Sequence, residues 1–123
     1  MSDYEKSELN SALQLVTSTI SKCEKMQHKF AVGTSQHSLL KNRIKALYIS
    51  KALIVNEDTI AIYPAEELTK ALAPITSIIN KTTKAQIKYE KDSTQYKKFE
   101  PIIQAMQICK TLIENELKLR ETE

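Results

Sequence analysis

Residues 12–30 read ALQLVTSTISKCEKMQHKF, and residues 71–89 read ALAPITSIINKTTKAQIKY. These two stretches belong to a longer repeat, in which residues 8–57 align without a gap with residues 67–116, fifty-nine positions later. Twenty of the fifty aligned positions are identical, and most of the others exchange similar side chains. The chain therefore contains one sequence unit written twice, and we expect its fold to repeat in the same way.

The first unit predicts two helices joined by a short turn. Its apolar positions recur at alternating steps of four and three, which is typical of a helix packed nearly parallel to its neighbours. We expect helix 1 from about residue 5 to residue 30, with a seam of Leu9, Leu13, Val16, Ile20, Cys23, Gln27 and Phe30. Helix 2 carries Leu40, Ile44, Leu47 and Ile54 on one line, with Ala46, Ile49 and Leu53 beside them. The two stripes are in register, which indicates an antiparallel hairpin.

The turn of each unit has its own sequence signals. Gly33 is the only glycine and lies where the periodicity stops, so we expect it in the left-handed conformation that closes a helix C-terminus. Asp92 takes its place in the second unit, and aspartate is one of the few residues that tolerate this conformation. The candidate N-caps are Thr34 or Ser35 for helix 2 and Ser93 or Thr94 for helix 4.

Residues 57–63 connect the two units. Ile60 and Ile62 are expected to pack against the open end of the bundle, since a lone strand, the rival interpretation, would have no partner. Asn56 is a candidate C-cap of helix 2. Pro64 is expected in the first turn of helix 3, with the acidic Glu66 and Glu67 at the positive end of the helix dipole.

The second unit repeats the helical pattern with two prolines inside it. Pro74 should kink helix 3 or mark weak first turns, and Pro101 should bend helix 4 rather than delay its start. The charged tail from about Lys118 is expected to fray. The seam of helix 3 consists of Leu68, Leu72, Ile75, Ile79, Thr82, Gln86 and Tyr89, and that of helix 4 of Phe99, Ile103, Met106, Ile113 and Leu117, with Ile102, Ala105, Ile108, Cys109 and Leu112 beside it.

These patterns predict an all-α protein, an antiparallel up-and-down four-helix bundle made of two repeated hairpins. We assign residues 1–123 to one domain, with the first repeat at about 8–57, a connector at 58–64 and the second repeat at about 65–117. A chain of 123 residues is long enough to fold around its own core. A dimer that exchanges hairpins is the main alternative.

Composition also bears on location and chemistry. The start, MSDYEKSE, lacks the basic and apolar regions of a signal peptide, and no apolar run approaches the roughly twenty residues of a membrane span, so we expect a cytoplasmic protein. The cysteines Cys23 and Cys109 lie on apolar helix faces outside any CxxC pattern and are expected to be buried. No glycine-rich phosphate loop, HExxH or di-iron ligand set is present, so we expect no metal, no cofactor and no enzyme.

Four other side chains have two interpretations each. His28 and His37 flank the first turn and are expected to be partly exposed, with a metal or proton-transfer role as the alternative. Lys51 and Lys110 interrupt the seams, so their stems should pack at the edge of the apolar face while the ammonium groups reach water. A buried lysine pair lining a polar cavity is the alternative for these two.

Charge is unevenly distributed along the chain. Residues 22–45 have a net charge of +5 and residues 81–98 of +4, whereas the rest of the chain has −6. Both basic segments contain a turn, so in a bundle of parallel hairpins they form one end, which we call the basic end. The candidate contact residues for an anion or partner are Lys22, Lys25, Lys29, Lys41, Arg43, Lys45, Lys81, Lys84, Lys88, Lys91, Lys97 and Lys98.

Helix dipoles explain part of this distribution. Lysines near the C-termini of helices 1 and 3 complement the dipole, each by roughly 0.3–1 kcal/mol. Lys41, Arg43, Lys97 and Lys98 are instead expected in the first turns of helices 2 and 4, where the dipole disfavours cations. An anionic partner would account for them.

The sequence favours a non-enzymatic protein-interaction or adaptor module, with another protein or a homodimer mate as partner. Nucleic-acid or other polyanion binding ranks second, because the basic end has few aromatic residues and one arginine for stacking and base readout. A membrane surface is a third partner, expected to bind weakly because the lysine-rich end should expose no Trp, Phe or Leu.

The stretch KFAVGTSQHSLLKNRIKALYISKALI, residues 29–54, resembles segments of small all-helical proteins of low-GC Gram-positive bacteria. This resemblance covers about a fifth of the chain and implies a bundle fold without an assigned activity. In size and predicted bundle form the chain is also similar to the bacteriocin immunity proteins of that group, although no motif of theirs is matched. That alternative would imply recognition of a membrane receptor complex and no catalysis.

Overall fold

The computed structural model describes residues 4–55 and 61–121. Within these ranges the chain forms four α-helices and no strand, which confirms the predicted all-α fold class. The helices are α1 (Lys6–Gln27), α2 (Ser35–Ile54), α3 (Ala65–Gln86) and α4 (Thr94–Glu121).

The four helices pack as an up-and-down bundle. Sequential helices contact one another, α1 and α4 close the ring, and α2 also touches α4 across the diagonal. Polar contacts show that α2 and α3 are antiparallel, because Lys45 meets Glu67 whereas Arg43, nearer the start of α2, meets Ser77, further along α3. The loops 28–34 and 87–93 therefore lie at the same end of the bundle.

Helix bounds follow the sequence repeat closely. Both α1 and α3 have 22 residues, and they begin and end at positions fifty-nine residues apart. Helices α2 and α4 also begin at equivalent positions, but α4 continues to Glu121. Arg120 stabilises this extension by donating hydrogen bonds to the Tyr63 carbonyl oxygen at 2.6 Å and to Glu116 Oε2 at 3.0 Å. The predicted fraying from Lys118 is therefore wrong within the described residues.

Local caps set the helix starts. The Thr34 hydroxyl accepts from the His37 amide at 3.2 Å, and the Ser93 hydroxyl accepts from the Tyr96 amide at 3.1 Å, which confirms one predicted cap for each helix. Pro64 is itself the N-cap of α3 and precedes the first helical residue, so its prediction was one position off. The first turn of α3 contains the expected acidic residues.

The turn residues Gly33 and Asp92 have positive φ angles of 94° and 69°, as predicted. Their expected role in closing a helix was wrong, because α1 ends at Gln27, three residues before the predicted end. The backbone of His28 has an ordinary right-handed conformation at the α1 C-cap, and two further turns carry the chain to Gly33. Gly33 therefore reverses the chain immediately before the cap of α2.

The core runs along the centre of the bundle. Fully buried side chains from all four helices meet there, including Val16, Leu47, Ile75, Met106 and Ile113. The predicted seam residues are buried or half-buried except Tyr89, which lies beyond the end of α3 and is 45% exposed, so its assignment to the seam was wrong. Ala12 and Ala71 are also buried, at equivalent positions of α1 and α3, and the sequence analysis missed both. Alanine at these positions lets the two hairpins approach closely.

Small side chains explain why α2 touches α4 across the diagonal. Ser50 and Cys109 occupy equivalent repeat positions, both are fully buried, and the Ser50 hydroxyl, which donates to the Ala46 carbonyl oxygen, lies close enough to affect the pKa of the Cys109 thiol. Contact between equivalent residues places them on the approximate twofold axis that relates the hairpins. Ala46 and Ala105, one turn earlier on each helix, are buried beside them.

Both prolines lie inside continuous helices. Pro74 lies within α3, which is continuous from Ala65 to Gln86. Helix α4 begins at Thr94, so Pro101 does not delay its start, as predicted. The bend at Pro101 stays a prediction. Ile62 is 73% exposed, so its predicted packing is wrong; Tyr63 packs against the core instead. Asn56 and Ile60 lie outside the described residues.

Candidate functional site

The basic end places most of the predicted contact residues in solvent. Eleven of the twelve candidate cations are exposed, and Arg43 is half-buried. Lys22, Lys25, Lys81 and Lys84 lie towards the C-terminal ends of α1 and α3, and the loops that follow carry the lysines Lys29, Lys88 and Lys91. On the paired helices lie Lys41 and Lys45 of α2 and Lys97 and Lys98 of α4.

Few of these cations have an ionic partner. The described residues contain three ion pairs, Lys45–Glu67, Lys70–Glu66 and Arg120–Glu116. Among the twelve candidates only Lys45 takes part in such a pair. The lysines nearest the loops are therefore exposed without an ion pair, and the acidic Glu90 and Asp92 share the second loop with Lys88 and Lys91.

Lys45 belongs to the contact between hairpins. Its Nζ lies 2.7 Å from Glu67 Oε2, and this hydrogen bond lowers the pKa of the Glu67 carboxyl group. The equivalent positions in the second and first repeats are Gln104 and Glu8, so the pair has no counterpart between α1 and α4. Lys45 is thus engaged within the bundle and is the weakest of the lysine candidates for partner binding.

Arg43 is also directed towards its own protein. Its terminal guanidinium nitrogen lies 3.5 Å from the Ser77 hydroxyl, a long contact between α2 and α3. Its Nε atom is buried without a hydrogen-bond partner among the described residues. The positive charge lies close enough to Cys23 to oppose the rise in the pKa of that thiol that burial causes.

Two of the four cations that were predicted in the first turns of helices 2 and 4 lie further along their helix. Because α2 starts at Ser35, Lys41 lies in its second turn and Arg43 in its third, beyond the turn in which the dipole acts strongly. Lys97 and Lys98 are the fourth and fifth residues of α4, close to its positive end, and no acidic residue lies in the first turn of either helix. Of the four cations, only Lys97 and Lys98 therefore oppose a dipole.

The basic end also exposes apolar side chains, which the sequence analysis missed. We call them the loop patch: Met26, Val32, Leu39, Ile87 and Tyr89. The expectation that no Leu would be exposed there is wrong, since Leu39 is 43% exposed. A usable signal was present, because Val32 adjoins the Gly33 turn and Ile87 has the polar His28 at the equivalent position of the first repeat.

Aromatic rings at this end are engaged with the protein. Tyr89 stacks on Phe99 of α4, with ring centroids 5.9 Å apart and planes 26° apart. Phe30 is half-buried and packs against the core. Phe99 thus covers one face of the Tyr89 ring, and Tyr89 is 45% exposed.

Two surface grooves separate the hairpins. One, of about 730 Å³, lies between α2 and α3; the other, of about 520 Å³, lies between α1 and α4. Eight pairs of equivalent positions line them, so the approximate twofold axis relates the grooves, and in four of these pairs the residue is the same. These four pairs are Glu8/Glu67, Ala12/Ala71, Ala46/Ala105 and Ile49/Ile108. The first groove contains the Lys45–Glu67 pair, whereas Gln104 and Gln107 line the second.

The two histidines and the two seam lysines have the exposure that the sequence predicted. His28 is exposed and His37 half-buried beside the first loop, as expected. Lys51 and Lys110 are half-buried, in agreement with stems that pack at the edge of an apolar face.

The cysteines are buried, as predicted. Burial raises the pKa of the Cys109 thiol to about 11, against the opposing effect of the Ser50 hydroxyl. At neutral pH this thiol stays protonated, which removes the thiolate that a cysteine nucleophile needs. Among residues 4–55 and 61–121 there is no group of three or more His, Cys, Asp or Glu that could hold a metal ion.

No helix in the described part of the chain is both long and apolar enough to cross a bilayer. Comparison with protein-family models, curated proteins and solved structures found no match.

Proposed function

We propose that this protein is a non-enzymatic protein-interaction or adaptor module, and that its basic end binds an anionic partner. The observation that carries the proposal is the set of ten exposed lysines at that end that form no ion pair within the described residues. Charge of one sign on one face concentrates and orients an oppositely charged partner.

The chemistry of lysine limits the kind of recognition. An ammonium group is a compact point charge without the planar fork with which arginine reads a carboxylate, phosphate or guanine edge. The one arginine of the set, Arg43, lies against Ser77. Recognition at this end is therefore by charge and shape, which disfavours sequence-specific reading of nucleic acid.

The buried cysteines support the proposed non-enzymatic role and a cytoplasmic location. Both thiols are free and buried, and the pKa of each is raised, mainly by burial. Free thiols are usual in a reducing compartment, where disulfides are rare.

Neutralising one lysine in each loop tests the proposal. Lys29 and Lys88 are repeat equivalents, both exposed, one in each loop. In fluorescence anisotropy with heparin as polyanionic probe, we expect K29Q/K88Q to weaken binding at least roughly fivefold and to reduce the salt dependence of log K by up to about two.

The matched control removes two lysines from the opposite end. Lys6 and Lys118 are exposed there, so K6Q/K118Q changes the net charge equally and should bind heparin nearly as the wild type does. Equal weakening in both variants would mean that heparin responds to net charge alone, and the proposed binding end would be wrong.

A further inference from the structure

The loop patch exposes apolar side chains where a bundle of this kind normally carries polar ones. Val32 is 85% exposed and Ile87 is 69% exposed, one in each of the loops 28–34 and 87–93. At that exposure neither side chain contributes much apolar burial to the folded state. Packing within the folded chain therefore does not explain why apolar residues occupy these two positions.

Lysines flank both exposed residues. Lys25 in the last turn of α1 and Lys29 in the first loop precede Val32, and Lys88 and Lys91 follow Ile87 in the second loop. All four lysines are exposed, and none forms an ion pair within the described residues. The first loop thus places the exposed Val32 near Lys29 and the end of α1, and the second places Ile87 beside Lys88 and Lys91, with the acidic Glu90 and Asp92 in the same loop.

The fold presents the two loops together. Helices α1 and α3 have the same length, 22 residues or about 33 Å, and lead into turns of the same design, with positive φ at Gly33 and Asp92. Two equal helices that run in the same direction bring their loops to the same height. Val32 and Ile87 are consequently presented together at one end of the bundle, where a broad target can contact both loops.

We propose that the loop patch docks on an anionic membrane surface. Val32 and Ile87 enter the boundary between headgroups and acyl chains, and the ring of Tyr89, held by Phe99, lies at headgroup level. The flanking lysines attract the anionic headgroups. The proposal rests on the proposed function and identifies its anionic partner as a lipid surface.

Other anionic partners fit these observations less well. A nucleic-acid strand favours several open aromatic faces, whereas Tyr89, stacked on Phe99, is the one exposed aromatic residue in the described part of this end. An acidic peptide helix needs a concave groove, and the groove between α2 and α3, which Leu39 and Lys41 line, does not include Val32 or Ile87. Exposed aliphatic side chains between lysines gain from contact with lipid and gain nothing from a fully polar polyanion.

Replacement of Val32 and Ile87 by serine distinguishes binding that depends on contact with lipid from binding that depends on charge alone. We expect wild-type protein to sediment with vesicles of phosphatidylcholine containing about one third phosphatidylglycerol, and much less with phosphatidylcholine alone. V32S/I87S should lower the partition coefficient for the anionic vesicles roughly tenfold. Its heparin affinity should be unchanged.

Ile62 offers a matched control for these substitutions. Ile62 is 73% exposed, close to the 69% of Ile87, but it precedes α3 at the opposite end of the bundle. I62S should therefore bind anionic vesicles like the wild type, and circular dichroism should show all variants equally helical. Wild-type binding by V32S/I87S, or an equal loss in I62S, would overturn the inference.

Failure of this inference can be distinguished from failure of the proposed function. If the wild type bound heparin but not anionic vesicles, the membrane surface would be wrong and the charged binding end would stand. If the wild type bound neither vesicles nor heparin, both proposals would be overturned.

Discussion

Replacement of Leu47 by alanine lowers the free energy of unfolding by about 2–5 kcal/mol. Leu47 is fully buried in α2, within the core cluster to which all four helices contribute. Its removal takes away apolar burial and leaves a cavity that the surrounding side chains fill only in part. Urea denaturation followed by circular dichroism measures the change.

Leu39 provides the control on the same helix. It is 43% exposed, so L39A loses less burial and creates no enclosed cavity, while the change in helix propensity is the same. We expect L39A to change the free energy of unfolding by less than about 1 kcal/mol. Equal effects of the two substitutions would contradict the position of the core described above.

Replacement of Gln86 by leucine should destabilise the protein by about 1–3 kcal/mol. Gln86 is buried at the end of α3, and its Nε2 donates to the Tyr96 carbonyl oxygen at 3.1 Å and to Glu100 Oε1 at 2.7 Å. Leucine fills a similar volume but leaves both acceptors without this donor. The midpoint of urea unfolding reports the loss.

The repeat supplies a control for this substitution as well. Gln27 is the equivalent residue of the first hairpin, but it is half-buried and its side chain makes no hydrogen bond within the described residues. The position equivalent to Glu100 is Lys41, which cannot accept a hydrogen bond. Q27L should therefore be nearly neutral, and a loss as large as that of Q86L would disprove the role assigned to the Gln86 hydrogen bonds.

Sequence reasoning predicted the architecture because the relevant signals are local. The seam spacing depends only on helical geometry, and it placed residues such as Ile20 and Ile75 correctly in the core. Thr34 and Ser93 were recognised as possible caps from side-chain chemistry alone. The repeat then allowed Asp92 to be assigned the conformation of Gly33.

Contacts between the hairpins could not be predicted, because they depend on how two separate segments meet. Nothing next to Lys45 in the sequence identifies Glu67 as its partner, and the Ser77 contact of Arg43 is equally distant. Ala12 was missed because a small side chain adds little to an apolar pattern, although it is buried where α1 faces α4.

The sequence analysis predicted the lysines of the candidate site but missed its exposed apolar residues. Lysine positions are visible directly in the sequence, and a hairpin fold is enough to gather them at one end. Val32 and Ile87 look like ordinary hydrophobic residues near a helix end, and their exposure follows only from where α1 and α3 terminate. If α1 and α3 ended one helical turn earlier or later, the exposed fractions of Val32 and Ile87 would be different.

The most direct test of the central claim is an amide chemical-shift map of labelled protein titrated with anionic lipid nanodiscs, at low and at moderate salt. We predict shift changes or broadening confined to residues 25–32 and 84–91, weakened by salt. Perturbation centred on the opposite end, around residues 61–70 and 110–121, or no perturbation at low salt, would contradict the claim that the basic end docks on an anionic surface.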